Sequence, residues 1–379
     1  MFFSKIVVEN NMNIPQMSPF IGMEEYESMR ECFETNWLTE GPKAKQFVDK
    51  LCGIIGVEYG VLAPNGTLAL YLGLKALGIG EGDEVIVPNF TFIASANAVL
   101  LAGATPVFVD VELESLQIDI KKCKDVLTKS TKALMPVHMY GASCNMTQVT
   151  DFAKKYNLKI IEDAAQAMGV TWKGKHCGSF GDAGCFSFFA DKTIATIEGG
   201  FIGTNDKSVH ENLLYLRNHG RIKSGTFIHP QVGYNFRMND IQAAIGLTQL
   251  SKRELIYKKK QYIYDFYCQQ LSGIKQIRIL KSMDNSNLVP FRFAIMTEEK
   301  QEFLNDYLTK KGIESRTFFY PLNKQPCFSQ LLNKQNLKDE NFKNSVYAYD
   351  HGLCLPIYPS LIDRQIKYIC DTIKKYYGL

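Results

Sequence analysis

Residues 159–169 read KIIEDAAQAMG and residues 186–200 read FSFFADKTIATIEGG. Each stretch begins with a short, continuously apolar run and then turns polar. The first run ends in Asp163, and the second is followed by Lys192 and a Gly-Gly pair. Such runs are typical of strands covered on both faces, as the strands of a parallel sheet are. Because ligands gather at the carboxyl ends of such strands, the two stretches predict a mostly parallel sheet with chemically active residues along one edge.

Similar apolar runs alternate with helical stretches up to about residue 205. The other strand candidates are residues 84–87, 106–111, 133–137 and 200–204. The segments long enough to be crossover helices include 66–77, 91–102 and 146–156. This order predicts an α/β doubly wound domain, preceded by helices at 22–36 and 41–56.

The pattern changes after Met238. A long helical stretch is predicted at 239–271, followed by a strand candidate, VPFRFAIM, at 289–296. A helix at about 298–311, an extended segment at 313–320 and an amphipathic helix at 361–377 complete the chain. We therefore expect a large α/β domain at residues 1–250 and a smaller C-terminal α+β domain at residues 251–379.

Composition excludes several classes of protein. Of the 379 residues, 46% are hydrophobic and 22% are charged, as in globular proteins, which argues against disorder. The net charge is only +4. The short lysine runs at 258–260, 310–311 and 374–375 are scattered, whereas nucleic-acid binders concentrate basic residues on one face. We interpret these runs as solvated helix faces and expect no nucleic-acid partner.

The cysteines and the apolar runs bear on the cellular compartment. Ten cysteines are spread from Cys32 to Cys370 without a C-x-x-C pair, so we expect reduced thiols and no metal site. No apolar run is long enough to span a bilayer. The first 17 residues carry Lys5 and Glu9 and do not resemble a signal peptide. These features favour a cytoplasmic protein with no membrane partner.

Lys192 and Asp163 together suggest a pyridoxal phosphate site. A lysine beside strand ends in a partly dry site has a depressed pKa and becomes a nucleophilic amine, suited to form a Schiff base. A buried acid can hold the pyridine nitrogen protonated, which makes the ring an electron sink. On spacing alone, a surface lysine and an acid capping a helix remain open.

Two further segments fit the same site. Asn65-Gly66-Thr67 precedes an apolar helix, whose N-terminus offers free N–H groups to a phosphate. Ser187, five residues before Lys192, could reach the same phosphate. Phe92 follows the strand EVIV and could stack on a cofactor ring. An ordinary helix N-cap, a strand serine and a core phenylalanine remain open.

The motifs as a set resemble the DegT/DnrJ/EryC1/StrS family of sugar aminotransferases. The resemblance covers nearly the whole chain, and the motifs occur in the family's order. They are NGTLAL (65–70), GDEVIVPNFTFIASANAV (82–99), GATPVFVDVE (103–112), MPVHMYG (135–141), EDAAQAMG (162–169), FSFFADKT (186–193) with EGG (198–200), GYNFRMNDIQAAIG (233–246), GIESRTFFYP (312–321) and LPIYP (355–359).

The resemblance implies an activity and a fold. The chain is most similar to the perosamine synthase-like branch, whose members aminate C4 of a nucleotide-linked 4-keto-6-deoxyhexose with glutamate as the usual donor, for surface glycan biosynthesis. It implies the aspartate aminotransferase-like fold of pyridoxal phosphate enzymes (fold type I) and a homodimer with a composite active site. Lys192 is retained, which disfavours the family's dehydratase branch, where histidine replaces it.

The resemblance also assigns roles to individual residues. Lys192 is the catalytic residue, and the implied cofactor-binding residues are Asp163, Gln166, Gly66, Thr67, Phe92, Ser187 and, from across the dimer interface, Asn235. Candidate contacts to the sugar nucleotide are Trp37, Leu38, Thr39, Arg316 and Tyr320. Arg316 could equally form a structural salt bridge, and His138 is expected to be structural.

Two residues depart from the family pattern. Ile197 stands where the family usually has glycine, so we expect the loop to avoid positive φ there. Met168 stands where many members have histidine.

Three other functions remain to be weighed. A 3-keto sugar aminotransferase of the same family and a non-catalytic pyridoxal phosphate-binding sensor both stay open. A nicotinamide dehydrogenase is disfavoured because residues 78–82 (GIGEG) lack the third glycine of G-x-G-x-x-G and precede a strand.

Overall fold

The computed structural model describes residues 12–221, 225, 227–335 and 337–379. The first 17 residues are those in which no signal peptide is expected, and residues 1–11 of them lie outside the described residues. None of the helices in the described ranges combines the length and the apolar character that a membrane span requires. All ten cysteines fall within those ranges as free thiols.

A mixed sheet of seven strands forms the centre of the molecule. The strands of the chain are β1 (Tyr59–Ala63), β2 (Glu84–Pro88), β3 (Thr105–Val109), β4 (Thr131–Leu134), β5 (Lys159–Asp163), β6 (Thr171–Trp172), β7 (Lys175–His176), β8 (Ala183–Ser187), β9 (Gly200–Thr204), β10 (Ile277–Ile279), β11 (Phe293–Thr297), β12 (Arg316–Thr317) and β13 (Gly352–Leu355). The central order is β1-β9-β8-β5-β4-β2-β3. All pairs from β8 to β3 are parallel, and β9 runs antiparallel to both of its neighbours. The mostly parallel sheet predicted from the sequence is confirmed.

Helices cover the sheet on both faces. The helices of the described residues are α1 (Met23–Glu34), α2 (Pro42–Ile55), α3 (Gly66–Ala76), α4 (Ala94–Leu101), α5 (Ile120–Cys123), α6 (Met146–Tyr156), α7 (Lys207–Arg217), α8 (Asp240–Ser251), α9 (Arg253–Leu271), α10 (Gln301–Lys310), α11 (Ser329–Gln335), α12 (Lys343–His351) and α13 (Asp363–Tyr376). One apolar layer joins α3, α4 and α7 to the sheet. Another joins α2 and α8 to Phe186 and Phe201, and it includes Met168. Burial on both faces explains why the strand sequences are continuously apolar.

A second, antiparallel sheet has the order β10-β11-β13-β12. Its core includes residues of α9, α10 and α13, together with Ile14 near the N-terminus. In α13, Ile366, Ile369 and Ile373 recur at helical spacing and are buried. Residues 322–342 return to the large sheet, because Leu322 and Phe342 share the core of α3 and α4. The domain boundary near residue 250 stays a prediction.

The single helix predicted at 239–271 is wrong: the chain forms two helices, α8 and α9, separated at Lys252. The break gives each helix its own packing partner. Helix α8 packs against α1 and α2, whereas α9 packs against α13 beside the small sheet. The Nζ of Lys252 lies 2.5 Å from Glu25 Oε1. This ion pair holds the residue between the two helices against α1.

Candidate active site

Asp163 is the last residue of β5 and is only 6% exposed. Its Oδ2 accepts a hydrogen bond from Ser95 Oγ at 2.7 Å, and its Oδ1 accepts one from the backbone N–H of Ala165 at 3.2 Å. Ser95 Oγ also lies 3.0 Å from Thr91 Oγ1. Burial raises the pKa of Asp163, although these bonds and the positive charge of Lys192 oppose the shift. A buried acid with so few partners is suited to pair with a protonated ring nitrogen.

A second buried acid, Glu162, anchors the end of β5 from the opposite face of the sheet. Its carboxylate lies 3.0 Å from His138 Nε2 and accepts three backbone N–H groups of the segment 178–181, each at 2.7 Å. Burial alone would raise the pKa of Glu162, but these hydrogen bonds lower it. The backbone N–H of His138 also bonds to the carbonyl of Asp163 at 3.1 Å. His138 thus has structural contacts, as expected.

Lys192 lies between β8 and β9, and its side chain is 16% exposed. Its Nζ is 4.0 Å from Asp191 Oδ1 and 4.7 Å from the centroid of the Phe291 ring. Burial lowers the pKa of Lys192, although the charges of Asp191 and Asp163 oppose the shift. Because the lowered pKa populates the neutral amine, this side chain is suited to act as a nucleophile and as a proton carrier.

The start of α3 and the end of β8 form a compact cradle. A Cβ atom on Gly66 would lie 2.7 Å from Ser187 Cβ, so only glycine allows this approach. The side chain of Asn65 caps the helix by accepting from Leu68 N at 3.0 Å. Among the described residues, no backbone acceptor pairs with the N–H groups of Gly66 or Thr67. Free N–H groups at a helix N-terminus suit a phosphate.

Two more candidate residues lie near the ends of β2 and β5. The ring of Phe92 is 55% exposed and lies 5.8 Å from that of Phe319, centroid to centroid, whereas Phe90 is fully buried. Gln166 is buried, and its Oε1 accepts a hydrogen bond from Tyr140 N at 2.8 Å. This contact orients the amide, leaving its nitrogen as the side chain's hydrogen-bond donor.

The small sheet brings Arg316 to the neighbourhood of Lys192. Its Nη1 lies 3.7 Å from Asp191 Oδ2, while the side chain remains 53% exposed. Tyr320 is 42% exposed and meets Tyr349 edge-to-face, with centroids 5.0 Å apart. Both side chains are therefore accessible to a ligand.

The other predicted substrate residues follow α1. Trp37 and Leu38 are exposed, and the Trp37 indole lies against Gly41. The carbonyl of Thr39 accepts the backbone N–H of Asp240 at 3.0 Å, which joins this segment to the start of α8. Contact of these three residues with a sugar nucleotide stays a prediction.

Asn235 stands apart from the other predicted cofactor residues. Its side chain is exposed and accepts a hydrogen bond from Arg237 Nε at 2.9 Å. No hydrogen bond among the described residues joins it to Lys192, Asp163 or Ser187. Its predicted role across a dimer interface therefore remains a prediction.

The conformation expected for Ile197 is wrong, because this residue has a φ of 71° and is 54% exposed. A β-branched residue is rare in this region, where its Cβ crowds the backbone. Flanking bonds fix the loop: Thr196 N donates to Phe188 O at 2.8 Å, and Thr196 Oγ1 and Gln242 Nε2 both bond to Glu198 O. The surrounding contacts thus hold a strained residue three positions before Gly200.

Sequence reasoning missed an ion pair beside Lys192. Arg292 is 5% exposed, and its Nη2 lies 2.5 Å from Asp191 Oδ2. The available signals were the acid directly before Lys192 and the arginine that interrupts the apolar run VPFRFAIM.

Lys260 was also misassigned. It belongs to the lysine run interpreted as a solvated helix face, yet it is only 4% exposed. Its Nζ donates to Phe291 O at 3.4 Å and lies 5.7 Å from the centroid of the same ring that Lys192 faces. Burial lowers the pKa of Lys260 to about 7. Its spacing from Ile256 and Ile263, both buried, was the signal that this position faces inward.

Comparison with known proteins places this geometry in a family. The profile of the DegT/DnrJ/EryC1/StrS aminotransferase family matches residues 19–374. The GDP-perosamine synthase of Escherichia coli O157:H7 is 38% identical over 368 residues, which are 96% of this chain and 99% of that protein. A UDP-N-acetyl-3-dehydro-alpha-D-glucosamine 3-aminotransferase of Acidithiobacillus ferrooxidans is 36% identical over 88% of this chain and 89% of its own length. The structure of Spr1654 from Streptococcus pneumoniae in its PLP form superposes with a TM-score of 0.91 at 27% identity, covering 97% of this chain and 99% of the other.

Proposed function

Because this chain belongs to the DegT/DnrJ/EryC1/StrS aminotransferase family, we propose that it transfers the amino group of glutamate to C4 of a nucleotide-linked 4-keto-6-deoxyhexose. The product would be a 4-amino-4,6-dideoxy sugar nucleotide of the perosamine type. The observation that carries the proposal is the placement of buried Asp163 at the end of β5 and of Lys192 after the neighbouring strand β8, which also contributes Ser187 to the cradle with Gly66. The identity to a GDP-perosamine synthase supports the choice of C4.

The enzyme uses pyridoxal 5′-phosphate, in common with its family. The residues present fit this cofactor. The N–H groups of Gly66 and Thr67, which have no backbone acceptor within the described residues, suit the phosphate. The buried carboxylate of Asp163 suits a protonated pyridine nitrogen. Lys192 offers an amine with a lowered pKa for the aldehyde.

We assign each residue the role that its contacts support. Lys192 would hold the cofactor through its amine, and its free amine would carry a proton to C4 of the sugar. Asp163 keeps the ring nitrogen protonated, and Ser95 orients Asp163. When bound, the cofactor supplies an electron sink that stabilises negative charge on the carbon next to the transferred amine.

Four more residues complete the cofactor site. Gln166 donates to the ring's phenolic oxygen, Phe92 stacks on the ring, and Ser187 and Thr67 bind the phosphate. The exposed ring of Phe92, the position of Ser187 beside Gly66 and the bond from Tyr140 N that orients the Gln166 amide support these roles.

Amination at C3 is the second candidate. It is favoured by one observation, the 36% identity to a 3-aminotransferase that acts on a UDP-linked 3-keto sugar. Both reactions need the same cofactor site, so the difference lies in how the sugar is presented to Lys192.

We also propose that the enzyme is a cytoplasmic homodimer. The exposed apolar side chains of Met23, Phe33 and Trp37 support a protein partner on the α1 side. The exposed side chain of Asn235 supports its assignment to the partner's phosphate site.

A panel of nucleotide keto-sugars tests the function. The holoenzyme is incubated with glutamate and with GDP-, UDP- or dTDP-linked 4-keto and 3-keto sugars, and mass spectrometry detects conversion of keto group to amine. We expect turnover of a 4-keto-6-deoxy substrate and almost none by Lys192→Ala. Exclusive turnover of 3-keto sugars would favour the second candidate. Absence of any turnover, with no spectral change on adding glutamate, would instead indicate a cofactor-bound sensor.

A further inference from the structure

The surroundings of Lys192 hold more basic side chains than acidic ones. Arg292 and Lys260 are 5% and 4% exposed, and Arg316 reaches toward the same acid, Asp191. Within the described part of the chain, Asp191 provides the only carboxylate within 4.0 Å of any of these three cations. No carboxylate of the described residues lies within that distance of Lys260, and burial lowers its pKa to about 7. An anion bound beside it would favour its charged form, so this cluster is suited to attract one.

Two buried polar atoms beside the cluster also have no hydrogen-bond partner among the described residues. They are Asp191 Oδ1, a hydrogen-bond acceptor, and Gln16 Nε2, a donor. The Gln16 amide is held in place because its Oε1 accepts from Arg292 Nη1 at 3.1 Å. Buried polar groups in native proteins nearly always have partners, so these two atoms indicate a site that a ligand or ordered water completes.

A small cavity of about 20 Å³, large enough for about one water molecule, lies beside Asp191. Asp191, Lys192 and Lys260 line it, together with residues of the segments 17–20 and 357–359. The amine of Lys260 makes one long hydrogen bond, at 3.4 Å, to a backbone carbonyl. It therefore retains donor capacity toward this cavity.

We propose that Arg292, Arg316 and Lys260 bind the carboxylates of the amino donor, a dicarboxylic α-amino acid. The unpaired Oδ1 of Asp191 accepts a hydrogen bond from the donor's ammonium group. The inference rests on the proposed function only in that an aminotransferase needs such a donor. Arginine suits this task because it binds carboxylates bidentately.

The position of the cluster distinguishes a carboxylate from a diphosphate. The α-carboxylate of an amino acid is bonded directly to the carbon from which Lys192 must take a proton. The diphosphate of a sugar nucleotide is separated from C4 by the width of the sugar ring. Asp191, the acid shared by Arg292 and Arg316, lies 4.0 Å from Lys192 Nζ, which favours the carboxylate.

Binding of glutarate, a dicarboxylate without an amine, tests the cationic part of the site. Titration calorimetry on the holoenzyme should show glutarate binding about 10- to 100-fold weaker in Arg316→Gln and in Lys260→Met, because each loses a charged hydrogen bond. Arg364→Gln, which removes an exposed arginine on α13, is the matched control and should bind normally. Affinity for GDP and UDP should be unchanged in all three variants, because this proposal assigns Arg316 to the amino donor in place of the sugar nucleotide contact expected from the sequence.

Asp191→Asn tests the ammonium contact in a way that a merely structural role does not reproduce. Removing the acid should strengthen binding of glutarate, which has no ammonium group, and weaken binding of glutamate. Glutamate binding is measured from the spectral change of the cofactor in the absence of sugar. Equal weakening of both ligands would overturn the assignment of Asp191.

Two results would overturn the proposal as a whole. One is normal glutarate affinity in both cation variants. The other is an equal loss of affinity for GDP or UDP, which would assign the cluster to the nucleotide's diphosphate. Both results are measured without a keto-sugar. If no keto-sugar is turned over while glutamate still reacts normally with the cofactor, the proposed sugar acceptor is wrong and the proposed donor site is unaffected.

Discussion

Removal of the Ser95 hydroxyl should weaken cofactor binding strongly, although Ser95 itself need not touch the cofactor. Its hydrogen bond to Asp163 Oδ2 is 2.7 Å long, and the two residues are 0% and 6% exposed. A buried hydrogen bond to a charged group contributes about 1.5–3 kcal/mol. In Ser95→Ala, Asp163 keeps only the 3.2 Å bond from Ala165 N, and Thr91 Oγ1 loses its contact as well. Because an unsupported carboxylate holds the ring nitrogen less well, the dissociation constant of pyridoxal 5′-phosphate should rise about 10- to 100-fold.

The assay is titration of apoenzyme with cofactor, followed by its absorbance, over a range of pH. The hydroxyl of Ser95 lowers the pKa of Asp163, so its loss should raise that pKa. Protonated Asp163 cannot form an ion pair with a protonated ring nitrogen. As the solution is acidified, cofactor affinity should therefore begin to fall at a higher pH in Ser95→Ala than in the wild type.

A matched control is available in Ser208→Ala. Its hydroxyl also lies 2.7 Å from a carboxylate oxygen, that of Asp206, but on the surface at the start of α7. Cofactor affinity should be unchanged in this control. If Ser95→Ala binds the cofactor as tightly as Ser208→Ala at every pH, the reasoning about Asp163 is refuted.

Three further changes have distinct expected outcomes. Lys260 has its ordinary high pKa when unfolded and a pKa of about 7 when folded, so its contribution to the free energy of unfolding rises with pH between these values. Lys260→Met should flatten that rise by a few kcal/mol. If denaturant titrations show the same dependence of unfolding free energy on pH in variant and wild type, this reasoning is contradicted. Ile197→Gly should stabilise the protein by about 0.5–1 kcal/mol, since relief of positive-φ strain of about 1–2 kcal/mol exceeds the entropy cost of glycine; a lower urea midpoint would argue against strain. Inactive Lys192→Ala and weakened Asn235→Ala proteins, once mixed and allowed to exchange subunits, should recover activity above that of either protein alone. The reason is that one of the two composite sites of the mixed dimer has both wild-type residues. No recovery, despite subunit exchange detected by native mass spectrometry, would count against the shared site.

The sequence allowed the central strands and the residues at their ends to be predicted, because both follow from local patterns. Continuous apolar runs marked β2, β5 and β8 within one or two residues. Asp163 ends β5, and Lys192 follows β8, the parallel neighbour of β5. Gly66 and Ser187 are also in contact through the approach that glycine permits.

The contacts missed are those between residues far apart in the chain. Arg292 reaches Asp191 only because the small sheet packs beside the segment that carries Lys192. Lys260 resembles its solvated neighbours in sequence, and its burial depends on where α9 passes. The conformation of Ile197 was mispredicted because local preference disfavours positive φ, whereas hydrogen bonds from Thr196 and Gln242 enforce it. Tertiary contacts decided all three.

The account depends most on the identity of the amine that holds the cofactor. The holoenzyme, purified with pyridoxal 5′-phosphate, can be reduced with borohydride to make the linkage permanent, then digested and analysed by peptide mass spectrometry. We predict that the reduced cofactor is found on Lys192 and on no other lysine, including the buried Lys260. Attachment to Lys260, or a fully cofactor-loaded protein in which the peptide containing Lys192 is unmodified, would contradict the account.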